Sequence, residues 1–209
     1  MRPGLSLISA LYQKRNAFSL VGIIKSQSLW LGLMLVCMLM YLAHAEALLR
    51  YDRALLGQGE LWRMFSGQML HLNWPHYWLN MAGVAIVAIF FNQDLTKRQW
   101  LILMLFSSMF ISVCLYYFDP GMLWYMGMSG VLHTLFVVGA WYERRRFAIS
   151  GYALLALISS KLVYEQFGGG LASSEALIGA RVAVDAHFFG AIAGVIFLLA
   201  MKLREISRK

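Results

Sequence analysis

The stretch Gly127-Met128-Ser129-Gly130-Val131-Leu132-His133 runs on through apolar residues to Trp141 and closes on Glu143-Arg144-Arg145-Arg146. Its reading decides the fold. The pattern predicts an apolar helix opening at Ser129 and ending at a charged boundary. The fourteen steps from Ser129 to Glu143 make ~21 Å of helix. A bilayer's hydrocarbon core is ~30 Å thick. With Glu143 at the far boundary, Ser129 sits roughly 9 Å inside the near one. A hydroxyl at that depth is either hydrogen-bonded filler or a nucleophile.

The rest of the 209 residues supplies the setting. Hydrophobic residues are 60% and charged residues 13%, about half the charged share of a globular domain. Mean hydropathy is +0.64. An all-α polytopic membrane protein is expected, with one domain and no soluble module. The net charge of +8 does not call for nucleic acid, because the positive residues lie at the ends of apolar segments. Cys37 and Cys114 fall inside apolar runs and read as packing residues. The first residues, with Lys14, Arg15 and Lys25, do not look like a cleaved signal peptide.

Six spans are expected, at about 29–49, 75–91, 99–117, 129–143, 147–164 and 182–201. Residues 1–28 would form an interfacial or cytoplasmic segment, 29–202 the membrane core, and 203–209 a cytoplasmic tail. Residues 50–70 read as a loop dipping into the interface, and Gly168-Gly169-Gly170 as a flexible one. Of 18 basic residues, 13 fall on the side that holds both termini. Arg50, Arg53, Arg63, Lys161 and Arg181 fall on the other. The positive-inside rule makes the termini cytoplasmic and turns Ser129 outward.

Polar residues inside spans are costly and usually functional. His187 lies 15 residues before Lys202, or ~22 Å, and Asn80 lies 14 before Asp94, or ~21 Å. Ser129, His187 and Asn80 are thus expected at one depth. His76 and Asn80, four apart, share a helix face. A serine hydroxyl needs a base, for which His187 is the candidate. A tetrahedral intermediate needs oxyanion donors, for which His76, Asn80 and the Ser129 N–H are candidates. Gly127 and Gly130 would let the backbone bend and approach substrate. Gly190 and Gly194 form a GxxxG face for close packing of the sixth helix on the fourth.

Three runs, His71-x4-His76-x3-Asn80, Gly127-x-Ser129-Gly130 and His187-x2-Gly190-x3-Gly194, resemble the signature of rhomboid intramembrane serine proteases. Trp62-Arg63 resembles the pair in that family's first loop. The resemblance covers about residues 29–201 and implies a six-helix core, a Ser-His dyad without a required carboxylate, no metal or other cofactor, and membrane-anchored substrates. His71-Leu72-Asn73-Trp74-Pro75-His76, Ser129-Gly130-Val131-Leu132-His133 and Val184-Asp185-Ala186-His187 look further like the rhombosortase subgroup. That implies a bacterial inner-membrane enzyme opening to the periplasm, acting on exported proteins with Gly-Gly-containing C-terminal hydrophobic anchors. His133 departs from the family, since many rhomboids carry a tyrosine there, packed on the base.

Blander roles are expected nearby. His71 reads as a hydrogen-bonding residue of its loop. Arg63 reads as a loop or lipid-headgroup anchor. Asp185, two before His187 and on nearly the opposite face, reads as a cap or loop contact. Met122, Trp124, Tyr125, Met126 and Met128 read as a soft apolar lining. A transporter would need acidic or cationic residues deep in the spans, and none is read there.

Overall fold

The structure, a computed structural model, describes residues 20–207. The expected interfacial segment therefore lies largely outside the described residues, as does the last part of the expected tail.

The chain is mostly helical. Helix α1 is Leu20–Leu42, α2 Glu46–Leu49, α3 Arg53–Gly57 and α4 Arg63–Ser66, followed by a 3-10 turn at Gly67–Met69. Helix α5 is Trp74–Phe90, α6 Lys97–Phe118, α7 Ser129–Glu143, α8 Ala148–Gly168, α9 Ala172–Ile178 and α10 Val184–Ile206. Among the described residues, three stretches are long and apolar enough to cross a membrane: Ile24–Leu42 in α1, and helices α6 and α10. Helices α5 and α7 are shorter, 17 and 15 residues, or ~25 Å and ~22 Å. Helix α8 has 21 residues but is interrupted by Ser159, Ser160, Lys161, Glu165 and Gln166.

Local chemistry starts the helices where they start. Asn73 caps α5 by accepting the His76 N–H at 2.8 Å, with Pro75 in the first turn. Thr96 and Gln99 form a capping box that opens α6.

Several expectations are corrected. The first apolar run is not one helix over 29–49. Helix α1 ends at Leu42, and His44 takes a left-handed φ of 49° before α2 begins. Hydropathy continues through that corner, so apolar content alone cannot locate it. Within the mostly helical fold, Tyr51–Asp52 (β1) pairs antiparallel with Trp124–Tyr125 (β2). Residues 50–70, expected as one loop, hold β1, the short helices α3 and α4 and the 3-10 turn. Residues 168–170 are the end of α8 and a tight link to α9, with Gly169 at φ 80°.

Of its two expected roles, Arg63 takes that of loop anchor, buried rather than at a lipid headgroup. Its guanidinium donates to the carbonyls of Ala47 and Arg50 and to the Glu60 carboxylate. Trp62 beside it is half exposed and donates to the Leu48 carbonyl. The loop is then tied to the bundle. Ser112 of α6 donates to the Met64 carbonyl at 2.8 Å, and Gln68 donates to Ser112.

Candidate active site

The site begins with a close crossing of α7 and α10. A Cβ added at Gly190 would fall 2.0 Å from the Gly130 carbonyl oxygen, and one at Gly130 would fall 2.8 Å from the Ala186 carbonyl oxygen. Backbones meet here because neither residue has a side chain. Thr134 Oγ1 donates to the Gly190 carbonyl at 2.6 Å and fixes the register. Gly194 continues the seam, facing the Thr134 carbonyl and Val137. The crossing carries His187 to Ser129, with Nε2 2.8 Å from Oγ.

The other face of His187 meets residues of α8. Glu165 Oε2 lies 2.8 Å from Nδ1. Lys161 Nζ lies 3.3 Å from the same nitrogen and 2.6 Å from Glu165 Oε1. The carboxylate is the nearer partner and can only accept, so Nδ1 carries the proton. Nε2 then turns its lone pair to the Ser129 hydroxyl, the tautomer a base requires.

His133 stacks on His187, with ring centroids 4.2 Å apart and planes 21° apart. Its Nδ1 lies 2.7 Å from the Ser129 carbonyl and its Nε2 3.2 Å from Lys161 Nζ. An ammonium only donates, so Nε2 accepts and Nδ1–H donates to the carbonyl.

His76 and Asn80 line the other side of Ser129. Gly127 has φ 140°, and a Cβ there would meet the His76 ring at 2.9 Å. Only glycine takes this conformation readily and also lets the backbone lie against the imidazole. The turn is pinned by Tyr125, whose hydroxyl donates to the Gly127 carbonyl at 2.6 Å, and by the Gly127 N–H to the Gly67 carbonyl. His76 Nδ1 accepts the Leu72 N–H at 3.4 Å, leaving the ring proton on Nε2 in the neutral form. Asn80 Nδ2 is buried with no hydrogen-bond partner among the described residues, an arrangement that costs free energy unless an acceptor arrives.

His71, in the loop before α5, is fully buried and edge-on to His76 at 5.2 Å and to Tyr77 at 5.4 Å. Burial first, and then the His76 ring, push its pKa down to about 3. It packs as a neutral ring behind His76.

Other residues singled out in the sequence lie outside the site. Asp185 accepts from Gln166 at the rim. Tyr125 and Met128 are buried core rather than lining, and Trp124 is exposed. The depth argument for Asn80 is also corrected. Helix α5 stops at Phe90 and Asp94 follows a turn, so only ten residues of helix, ~15 Å, lie beyond Asn80.

Lys161 and Glu165 are the residues that sequence reasoning missed, and they correct the expectation of no deep charge. Their signal was available: a Lys-x3-Glu pair on one face of α8, with Lys161 among the few basic residues against the positive-inside pattern. His133, Glu165 and His187 have ligand atoms within 4.8 Å of one another, as a metal site would. The Lys161 ammonium already stands beside all three, supplying the positive charge a cation would bring.

A helical membrane protein with a histidine on a helix-opening serine is the class that this fold and site define. The rhomboid domain model matches residues 58–204. The chain belongs to the rhomboid family, which supports an intramembrane serine protease acting on membrane-protein substrates in general. A search of curated proteins finds no match.

Proposed function

We propose that this protein is an intramembrane endopeptidase in which Ser129 is the nucleophile and His187 the general base. The observation that carries the reading is the 2.8 Å approach of His187 Nε2 to Ser129 Oγ. His187 takes the hydroxyl proton as Oγ attacks the scissile carbonyl. The tetrahedral oxyanion is received by His76 Nε2–H, Asn80 Nδ2 and the Ser129 backbone N–H. His187 returns the proton to the leaving amine. Water, deprotonated by His187, then cleaves the acyl-enzyme and restores Ser129. His71, Gly127, Gly130, His133, Gly190 and Gly194 support this geometry.

The six long helices are read as six membrane spans with cytoplasmic termini, the basic residues lying mainly at that side. Ser129 would then open to the periplasmic side of a bacterial inner membrane. Helical carbonyls in a bilayer are bonded and shielded, so the scissile segment must unwind. Glycine makes unwinding cheap. Together with the rhombosortase-like motifs, this favours exported proteins held by a Gly-Gly segment before a C-terminal hydrophobic helix.

The test incubates the purified chain in detergent with a fluorophosphonate and maps the adduct, expected at Ser129. An exported reporter with a Gly-Gly anchor, co-expressed with the protein, should be released. Ser129→Ala or Gly-Gly→Leu-Leu should leave it anchored. Equal release of the Leu-Leu reporter refutes the substrate class and leaves the protease standing. A cytoplasmic reading from a reporter fused after Gly169 refutes the orientation.

A further inference from the structure

Helix stability does not account for Lys161 and Glu165. Glu165 lies in the last turn of α8, which ends at Gly168, where the helix macrodipole disfavours an anion. Lysine precedes glutamate in the i,i+4 pair, the less favourable order for a helix. Glu165 is only 2% exposed, and buried ion pairs seldom return their desolvation cost as stability. Three local preferences are overridden at one place, and such conflicts concentrate at functional sites.

What the arrangement achieves is control of one imidazole. Glu165 presents one oxygen to His187 Nδ1 and the other to Lys161. Lys161 also holds His133, which stacks on His187 and bonds the Ser129 carbonyl. Each group in the chain Lys161, Glu165, His187, Ser129 thus has one partner that fixes its orientation.

Resting on the Ser129–His187 reading, we infer that Glu165 is a positioning residue that extends the pair to a Ser129–His187–Glu165 triad, with Lys161 as the clamp that aims its carboxylate. Glu165 holds the proton on Nδ1 in the resting state and faces the imidazolium formed when His187 takes the serine proton. It does not take that proton itself. Lys161 keeps the carboxylate turned toward the ring.

The clamp has a specific consequence. Without the carboxylate, the nearest group to Nδ1 is the Lys161 ammonium at 3.3 Å. As a donor it would bind the Nδ1 lone pair, forcing the ring proton onto Nε2, where the base must be free. It would also repel an imidazolium. Loss of Glu165 alone is therefore worse than loss of both residues.

The experiment measures the rate of fluorophosphonate labelling of Ser129 in the purified full chain, a readout that needs no natural substrate. Glu165→Gln, which can also donate to Nδ1, should label slower by at least on the order of a hundredfold. Glu165→Asp should recover most of that loss. Glu165→Ala/Lys161→Met should label faster than Glu165→Ala, by about tenfold or more. A purely structural role would make labelling follow the melting temperatures of the two variants, because loss of Glu165 alone leaves Lys161 unpaired; the triad expects the difference at temperatures where both variants are fully folded. Wild-type rates in Glu165→Gln, or a double variant no faster than Glu165→Ala, overturn the inference alone. If Glu165→Gln does not fold, Glu165→Asp and the double-variant comparison decide it. Absence of labelling in the wild type overturns the proposed function and the triad together.

Discussion

Helices α7 and α8 are neighbours in sequence and in space, and they hold the site in different ways. Helix α7 buries ten of its fifteen residues. Helix α8 buries three of twenty-one, Gly151, Ile158 and Glu165, spaced by sevens along one line. Dense contact on several sides fixes Ser129. Glu165 is placed by a thin stripe and then by bonds to Lys161 and His187. Ser129 and His187, the proposed nucleophile and base, therefore depend on packing, whereas the Glu165 carboxylate depends on polar contacts. Substitutions in the helix packing that seats Ser129 and His187 should damage fold and rate together, and those in the polar contacts of Glu165 mainly the rate.

The largest effect is expected at Gly190. A valine there would overlap the Gly130 carbonyl and break the Thr134 bond to Gly190. The two helices must separate, at roughly 3 kcal/mol or more. Cleavage should fall to background and the thermal transition should drop, as circular dichroism in detergent would show. Normal cleavage in Gly190→Val would mean the crossing does not set the site.

Ser129→Ala and His187→Ala separate fold from rate. Each should fall to background in a cleavage assay while keeping a near wild-type melting curve. The double variant should be hardly worse, because the two act as a unit. A double variant far slower than either single would show two independent contributions. Asn80→Ala should be milder, about a hundredfold in kcat if its amide is one oxyanion donor among several. A rise in KM with unchanged kcat would make Asn80 a binding group only.

How far the sequence could be read follows the same division. Ser129, Gly130, His187, Gly190 and Gly194 lie on long uninterrupted helices, where counting residues gives depth and face. Counting failed where a helix ended unseen. Asp94 lay beyond a turn, so the length of helix beyond Asn80 was overestimated, and His44 broke a run that hydropathy showed as continuous. The end of α8 was the costly case. A span drawn to Tyr164 left Lys161 assigned to the outer loops and Glu165 outside the span, whereas the helix continues to Gly168 and turns both inward. Nothing local marks Glu165 as a partner of His187, 22 residues away in sequence. That contact requires the fold of α8 against α10.

The smallest effect, at Ile158, tests the comparison from its other side. Ile158 is the middle of the buried stripe of α8 and packs with Val137 of α7 and Ala191 of α10. Ile158→Ala removes three carbons from that contact and should cost ~2 kcal/mol, the low end for a buried isoleucine. Lys161 and Glu165 lie one and two turns further on, held by bonds of 2.6 Å and 2.8 Å that the substitution does not touch. The melting temperature should therefore fall while fluorophosphonate labelling of Ser129 stays within about threefold of wild type. A labelling rate as low as that of Glu165→Gln would show that apolar packing of α8, and not the polar chain, places the carboxylate. The contrast between the two helices would then be one of degree only.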